Sequence, residues 1–282
     1  MRSRRSLILV GIIAAATFGF VLHSCSEEDE TPTNITVIDD SQTLQEMLGP
    51  VAAQVNAHLD SVVATIESGL SVAVYIGTGG ATDIGDIFMG SYPPDSTHEI
   101  QNWIVSWATD LQAGLGALTV VDSLTYVLDG QITADPADAE EMYFKHQLTF
   151  ASLDTTVSFA DFGLHGNMHV TDIQTDTATI NGTFQAELHD KFVSSESTVW
   201  HDWSMQTTLA DLRVVGTGTS FDHGCPAGGS ATVMLQYRYA KDDHVPVITA
   251  WQFDVTFDDG TIDVDVTTGN LAAAYRHQLC QP

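Results

Sequence analysis

Between residues 41 and 70, apolar positions recur at three- and four-residue steps: Leu44, Leu48, Val51, Val55, Leu59, Val62 and Ile66, with polar residues between them. That spacing draws one apolar face along an amphipathic helix. Gly49-Pro50 interrupts its early part, and a proline sits best in a first turn, so the main helix is expected to begin there. Ser71 to Ile76 is apolar and β-branched, and Gly77-Thr78-Gly79-Gly80 then breaks the chain. No Lys-Ser/Thr follows these glycines, so they are not a phosphate-binding loop. A second helix is expected from Ser96-Thr97-His98-Glu99, which has the form of a capping box. Ile100, Trp103, Ile104, Trp107 and Leu111 then share one face, and Gly114 supplies a stop. Trp103 and Trp107 on that stripe are candidates either for the core or for the lining of a cleft that takes an apolar ligand.

From residue 117 onward the period changes to two. Strands are expected at 117–129, 141–151, 157–172, 176–190, 197–209, 230–240, 247–258 and 261–267. Ala178, Ile180, Gly182, Phe184, Ala186 and Leu188 alternate with Thr177, Thr179, Asn181, Thr183, Gln185 and Glu187, giving one buried and one wet face. Short connections imply antiparallel neighbours. Asp259-Gly260 is the clearest hairpin turn, since both residues tolerate the positive φ of a type I′ turn. The expected fold is α+β and predominantly β. About eight long antiparallel strands form a strongly curved sheet, a half-barrel or barrel, with two N-terminal helices (within 41–114) packed on its apolar side. This layout is similar to that of lipid-carrying lipoproteins of the half-barrel kind, in architecture only.

The N-terminus reads differently. Arg2, Arg4 and Arg5 precede an apolar run from Leu7 to Leu22, which ends in Leu22-His23-Ser24-Cys25. Roughly sixteen apolar residues are too few for a membrane span, which needs about twenty, and suit a signal-peptide core. The segment resembles the lipobox signal of bacterial lipoproteins, with His23 departing from the pattern. The resemblance implies that residues 1–24 are removed and that Cys25 becomes the diacylglycerol-modified N-terminus. Ser26-Glu27-Glu28-Asp29-Glu30 resembles the acidic tether of surface-directed lipoproteins, and residues 25–40 then form a solvated linker. The rest, 41–282, is expected to be one domain.

Composition sharpens this picture. Of 9 Lys+Arg, Arg2, Arg4 and Arg5 lie in the signal, which leaves six bases against 37 acids, a formal −31 for the mature chain. Such a chain lacks the basic clusters that nucleic-acid binding needs and is repelled by anionic headgroups. The acidity reads as solubility or as cation binding. With Cys25 lipidated, Cys225 and Cys280 remain as a pair. In an oxidising compartment a disulfide between them is the default, worth roughly 4 kcal/mol in the chain-entropy model.

Candidate chemistry is sparse. A two-residue turn at Asp259-Gly260 sets Phe257, Val255 and Phe253 against Ile262, Val264 and Val266, and on the other face sets Asp254 against Asp265 and Thr256 against Asp263. Opposed like charges are destabilising. Asp254, Asp263 and Asp265 are therefore candidate oxygen ligands for Ca²⁺, with solvated, screened carboxylates as the plainer alternative. His165 and His169 lie about 13 Å apart along one strand and cannot share an ion. His146, among Met142, Phe144, Leu148 and Phe150, reads as a hydrogen-bonded core histidine. His189-Asp190 and His201-Asp202 flank a turn, and one register places His189 opposite Asp202. No activated Ser or Cys accompanies that pair, and no hydrolase or phosphate motif is present. The sequence therefore points away from an enzyme. It suggests an envelope lipoprotein, held to the outer membrane by lipid, that binds an apolar ligand or an envelope or surface protein. A surface adhesion module stiffened by calcium is the alternative, and a hydrolase using the His-Asp pairs is a remoter one.

Overall fold

The computed structural model describes residues 41–77, 95–99, 102–111, 116–133, 139–152, 159–194, 197–215, 226–242 and 246–279. Cys25, Cys225 and Cys280, with the segments expected to be signal and tether, lie outside these residues. One helix, α1 (Ser41–Gly77), precedes twelve strands. These are β1 (Asp95–Glu99), β2 (Asn102–Leu111), β3 (Gly116–Leu128), β4 (Gln131–Thr133), β5 (Glu141–Ser152) and β6 (Phe159–Thr171). There follow β7 (Thr177–Val193), β8 (Thr198–Val215), β9 (Pro226–Lys241), β10 (Val247–Asp258), β11 (Thr261–Thr268) and β12 (Leu271–Gln278). All pair antiparallel in one sheet that follows chain order from β1 to β12, except that the short β4 pairs only with β3. The order is an open path, with no ladder joining β12 back to β1 among the described residues.

Alternation makes the sheet two-sided. Phe144, Leu164, Phe184, Met205, Leu235 and Phe253 are buried on one face, while their strand neighbours point to solvent. Helix α1 lies on the buried face. Leu44, Val51, Val55, Leu59, Val62 and Ile66 join the same apolar cluster as the strands, and Val55 and Leu59 have 0% of their surface exposed. The three- and four-residue spacing of these positions is thus a packing stripe. The helix starts at Ser41 and carries Pro50 within it, instead of starting at the proline. Pro50 forfeits one backbone hydrogen bond, but Leu44 is buried and Met47 and Leu48 pack on the core, which holds the turns before it. Ser71 to Ile76 continues the helix to Gly77.

The expected second helix is absent: its residues form β1 and β2. Trp103, Val105, Trp107 and Leu111 fit a period of two as well as a helical stripe, and β-branched and aromatic residues favour strands. Pairing with β3, Trp103 opposite Leu124 and Trp107 opposite Val120, decides between the two periods. The strand number rises from about eight to twelve through β1, β2, the short β4 and the alanine-rich β12. The hairpin at Asp259-Gly260 has positive φ at both turn residues, 45° and 79°, as a type I′ turn requires. No helix among the described residues is long and apolar enough to cross a membrane.

Candidate functional site

Long paired strands set histidines beside carboxylates at several points. On β7 and β8, His189 is opposite Asp202 and Asp190 is opposite His201. Adjacent residues alternate faces, so the two pairs lie on opposite sides of the sheet. The solvent-side pair is loose: His189 Nδ1 is 3.0 Å from Asp202 Oδ1, and Arg238 approaches the same carboxylate at 3.8 Å. The core-side pair is tight, with His201 Nδ1 2.6 Å from Asp190 Oδ1 and the rings of Tyr237 and Tyr239 against the imidazole. On β3 and β5, His146 Nδ1 lies 2.7 Å from the buried Asp122, so His146 is a hydrogen-bonded core histidine. On the solvent face His169 meets Glu141 at 2.7 Å and stacks on Tyr143, the ring centroids 4.4 Å apart.

A carboxylate that fixes an imidazole serves triad-type nucleophilic catalysis when a Ser, Thr or Cys faces the other nitrogen, whereas general acid–base catalysis needs only a water or substrate there. Neither His146 nor His189 is hydrogen-bonded to a Ser, Thr or Cys among the described residues. A buried histidine–hydroxyl contact lies elsewhere: His58 Nε2 is 2.7 Å from Thr207 Oγ1, where α1 crosses β8. Thr207 has 0% of its surface exposed, so a reacting substrate cannot reach its hydroxyl, and the contact ties helix to sheet. Neighbouring residues of α1 interact with β12. Tyr275 donates its hydroxyl to Asn56 Oδ1 at 2.9 Å. Asp60 has its pKa raised by burial, opposed by the nearby His277. Burial also pushes the Tyr275 phenol up to about 12.

Burial lowers the His58 pKa to about 4, from an ordinary 6.5. The folded state therefore resists protonation that the unfolded chain accepts. The stability this histidine protects is complete above pH 6.5 and drains away as pH falls toward 4, about 3 kcal/mol in all. Urea unfolding at pH 7.5 and at pH 5 should differ by about 2 kcal/mol less in His58→Gln than in the wild type. Parallel pH curves for the two chains would contradict this.

The three carboxylates expected near calcium are placed as the hairpin register requires: Asp254 is opposite Asp265, and Thr256 is opposite Asp263. Asp263 already has a cation. Arg276 donates to it from Nε and Nη2, both at 2.7 Å, and these bonds hold the Asp263 carboxyl below its usual range. Asp254 accepts from Gln252 at 2.9 and 3.1 Å and from Thr232 at 3.1 Å. No three His, Cys, Asp or Glu side chains come together as a metal site among the described residues. Trp103 and Trp107 lie on β2 instead of a helix. Sequence reasoning missed the His58–Thr207 contact, because nothing local fixes where a helix crosses a sheet. It also missed Asp122 as the partner of His146, although an acid at an inward position of a strand was the available signal.

The solvent face carries a polar band. Two neighbouring cross-strand rows run over β5 to β9: Lys145, Asn167, Thr183, Thr208 and Thr232, then Gln147, His165, Gln185, Gln206 and Met234. These side chains are exposed or half-exposed, and none is a carboxylate. Acids return at the margins, with Glu187 beside the second row and Asp254 and Asp265 continuing the first. No protein-family model, curated protein or solved structure matches the chain.

Proposed function

We propose that this chain is a cell-envelope lipoprotein, anchored in the outer membrane through lipid on Cys25, whose single domain is a non-enzymatic interaction module. The N-terminal lipobox-type signal supports the anchor, and the pair Cys225 and Cys280 is read as a disulfide of the exported domain. One observation separates an interaction module from a carrier of apolar ligands. The sheet face on which a carrier would hold its ligand is occupied by α1, with Val55 and Leu59 fully buried against the strands. On this reading the sheet is a half-open barrel wrapped round its own helix. Recognition then falls to the solvent face. A carrier in which α1 moves aside is the second reading, favoured by the polar seam of Asn56–Tyr275 and His58–Thr207.

Three measurements test the proposal. Cys25→Ala should shift the protein from the membrane to the soluble fraction, and protease added to intact cells should degrade the wild type if it faces outward. Native mass spectrometry of the mildly purified mature chain should show only the mass of the lipidated polypeptide. A co-purifying fatty acid or phospholipid would replace the module reading with the carrier.

A further inference from the structure

The sheet leaves its last strand open. β12 pairs with β11 on one side and has no strand on the other among the described residues. The Leu279 amide donates to the Gly260 carbonyl at 3.0 Å, which fixes the phase of the β11–β12 ladder. Odd-numbered residues of β12 therefore bond to β11, while the backbone N–H and C=O groups of Ala272, Ala274 and Arg276 point to the open edge. Natural sheets guard such an edge with lysine, proline or a bulge. β12 has no lysine or proline, and its register with β11 runs without a shift. Ala272 and Ala274 are small, and the Arg276 guanidinium is turned back onto Asp263 of β11. The opposite edge, β1, is five residues long and includes Asp95 and Glu99.

We propose that residues 34–38, Asn-Ile-Thr-Val-Ile, cover this edge as a further strand, antiparallel to β12. The path of α1 carries the argument. Asn56 meets Tyr275, and Asp60, four residues on, is close enough to His277, two residues on, to feel its charge. Four helical and two extended residues both advance about 6 Å, so α1 runs in the same direction as β12. Ser41 lies about 22 Å before Asn56 along the helix, while Leu271 lies about 13 Å before Tyr275 along the strand. The chain therefore enters α1 roughly 10 Å beyond the start of β12, and a preceding segment that folds back along the edge runs antiparallel to it. Asp39-Asp40 has the residue types of a turn and a helix cap. Before it, Ile35, Thr36, Val37 and Ile38 are all β-branched and uncharged. With Ile35 and Val37 toward the core side, beside Ala273 and Tyr275, the N–H of Thr36 meets the free edge of β12. Connection through the same chain gives this segment an effective concentration of the order of millimolar. A second copy lacks that advantage and is repelled by a formal charge of −28. With lipid on Cys25, docking also shortens the tether to residues 26–33, about 30 Å at full stretch. That consequence alone rests on the lipoprotein reading.

The test is amide hydrogen exchange on the purified protein, read by NMR at Ala272, Ala273 and Ala274. Ala272 and Ala274 should exchange at least about a hundredfold more slowly than in an unstructured chain, although β11 holds neither. Thr36→Pro deletes the donor that faces β12 and should speed both at least about tenfold. Ala273, bonded to β11, should stay slow in that variant, which shows that the domain is still folded. Val37→Pro deletes an N–H that points away from β12 and should change the two rates less than about threefold. Free exchange of Ala272 and Ala274 in the wild type overturns the proposal, as do rates that Thr36→Pro leaves unchanged. Protection that falls when the protein is diluted would assign the edge to a second copy and overturn it as well. A larger effect of Val37→Pro than of Thr36→Pro overturns the facing of the strand. Release from the membrane by Cys25→Ala bears only on the anchor, so the two readings fail separately.

Discussion

Leu59→Ala should lower the stability of the domain by about 3 to 4 kcal/mol, and Leu59→Asp should leave it unfolded. Leu59 stands in the middle of the stripe on α1 with 0% of its surface exposed, one turn from Val55, which is equally buried. Truncation removes apolar burial and opens a cavity between helix and sheet. Surrounding strands, tied by ladders on both sides, cannot collapse into it, so the cost falls in the upper part of the usual range. An aspartate there would bury a charge with no cation on the facing positions, whose cluster is apolar. Gln45→Ala, on the exposed side of the same helix, should change stability by less than about 0.5 kcal/mol. Urea unfolding of the three variants measures these differences. A Leu59→Ala midpoint equal to that of the wild type would mean that α1 contributes little to the folded core.

Gly229→Ala should cost about 2 to 5 kcal/mol, a large loss for one methyl group. The residue lies in β9 with φ near 110°, a conformation that side chains disfavour. Crowding adds to this. A Cβ at Gly229 would lie 2.5 Å from the Asp211 carbonyl oxygen and 2.6 Å from Leu212 Cα. Both are backbone atoms at the irregularity where the β8–β9 register shifts between Ala210 and Arg213. That extra length of chain in β8 approaches β9 closely because β9 offers a glycine there. Relief requires moving the ladder itself, whereas a flexible side-chain tip would simply turn away. The same unfolding assay tests this, and a loss below about 0.5 kcal/mol would show that the bulge is free to shift.

What was legible in the sequence followed from period and turn chemistry. The β10–β11 register was readable to the residue, because a two-residue turn at Asp259-Gly260 leaves a single pairing and the Phe-Val-Phe face has to meet Ile-Val-Val. The crossed pairs on β7 and β8 were nearly so. The dipeptide His-Asp occurs at 189–190 and at 201–202, and an antiparallel ladder that sets His189 against Asp202 necessarily sets Asp190 against His201. The helix at 96–114 misled because tryptophans four residues apart satisfy both periods, and only the partner strand decides. β12 escaped notice because Ala272, Ala273 and Ala274 carry little β propensity, and Leu271 and Tyr275 are its main apolar contacts with the core. The carboxylate-free band was not legible either, since it exists only when five strands are set in register.

These features converge on how the domain divides its two faces. One face is spent on α1, through an apolar stripe and a few polar ties. The other is exposed and, over its centre, free of the acids that dominate the chain. An interaction module needs the first face to be permanently filled, whereas a carrier needs it to open. Hydrogen exchange on the purified protein, read at the backbone amides of residues 51–66 with and without added phospholipid, separates the two most directly. The module account predicts that these amides are protected as strongly as those of β8 to β10, and that lipid leaves them unchanged. Rapid exchange in α1 while the sheet stays protected, or loss of protection on adding lipid, would contradict it.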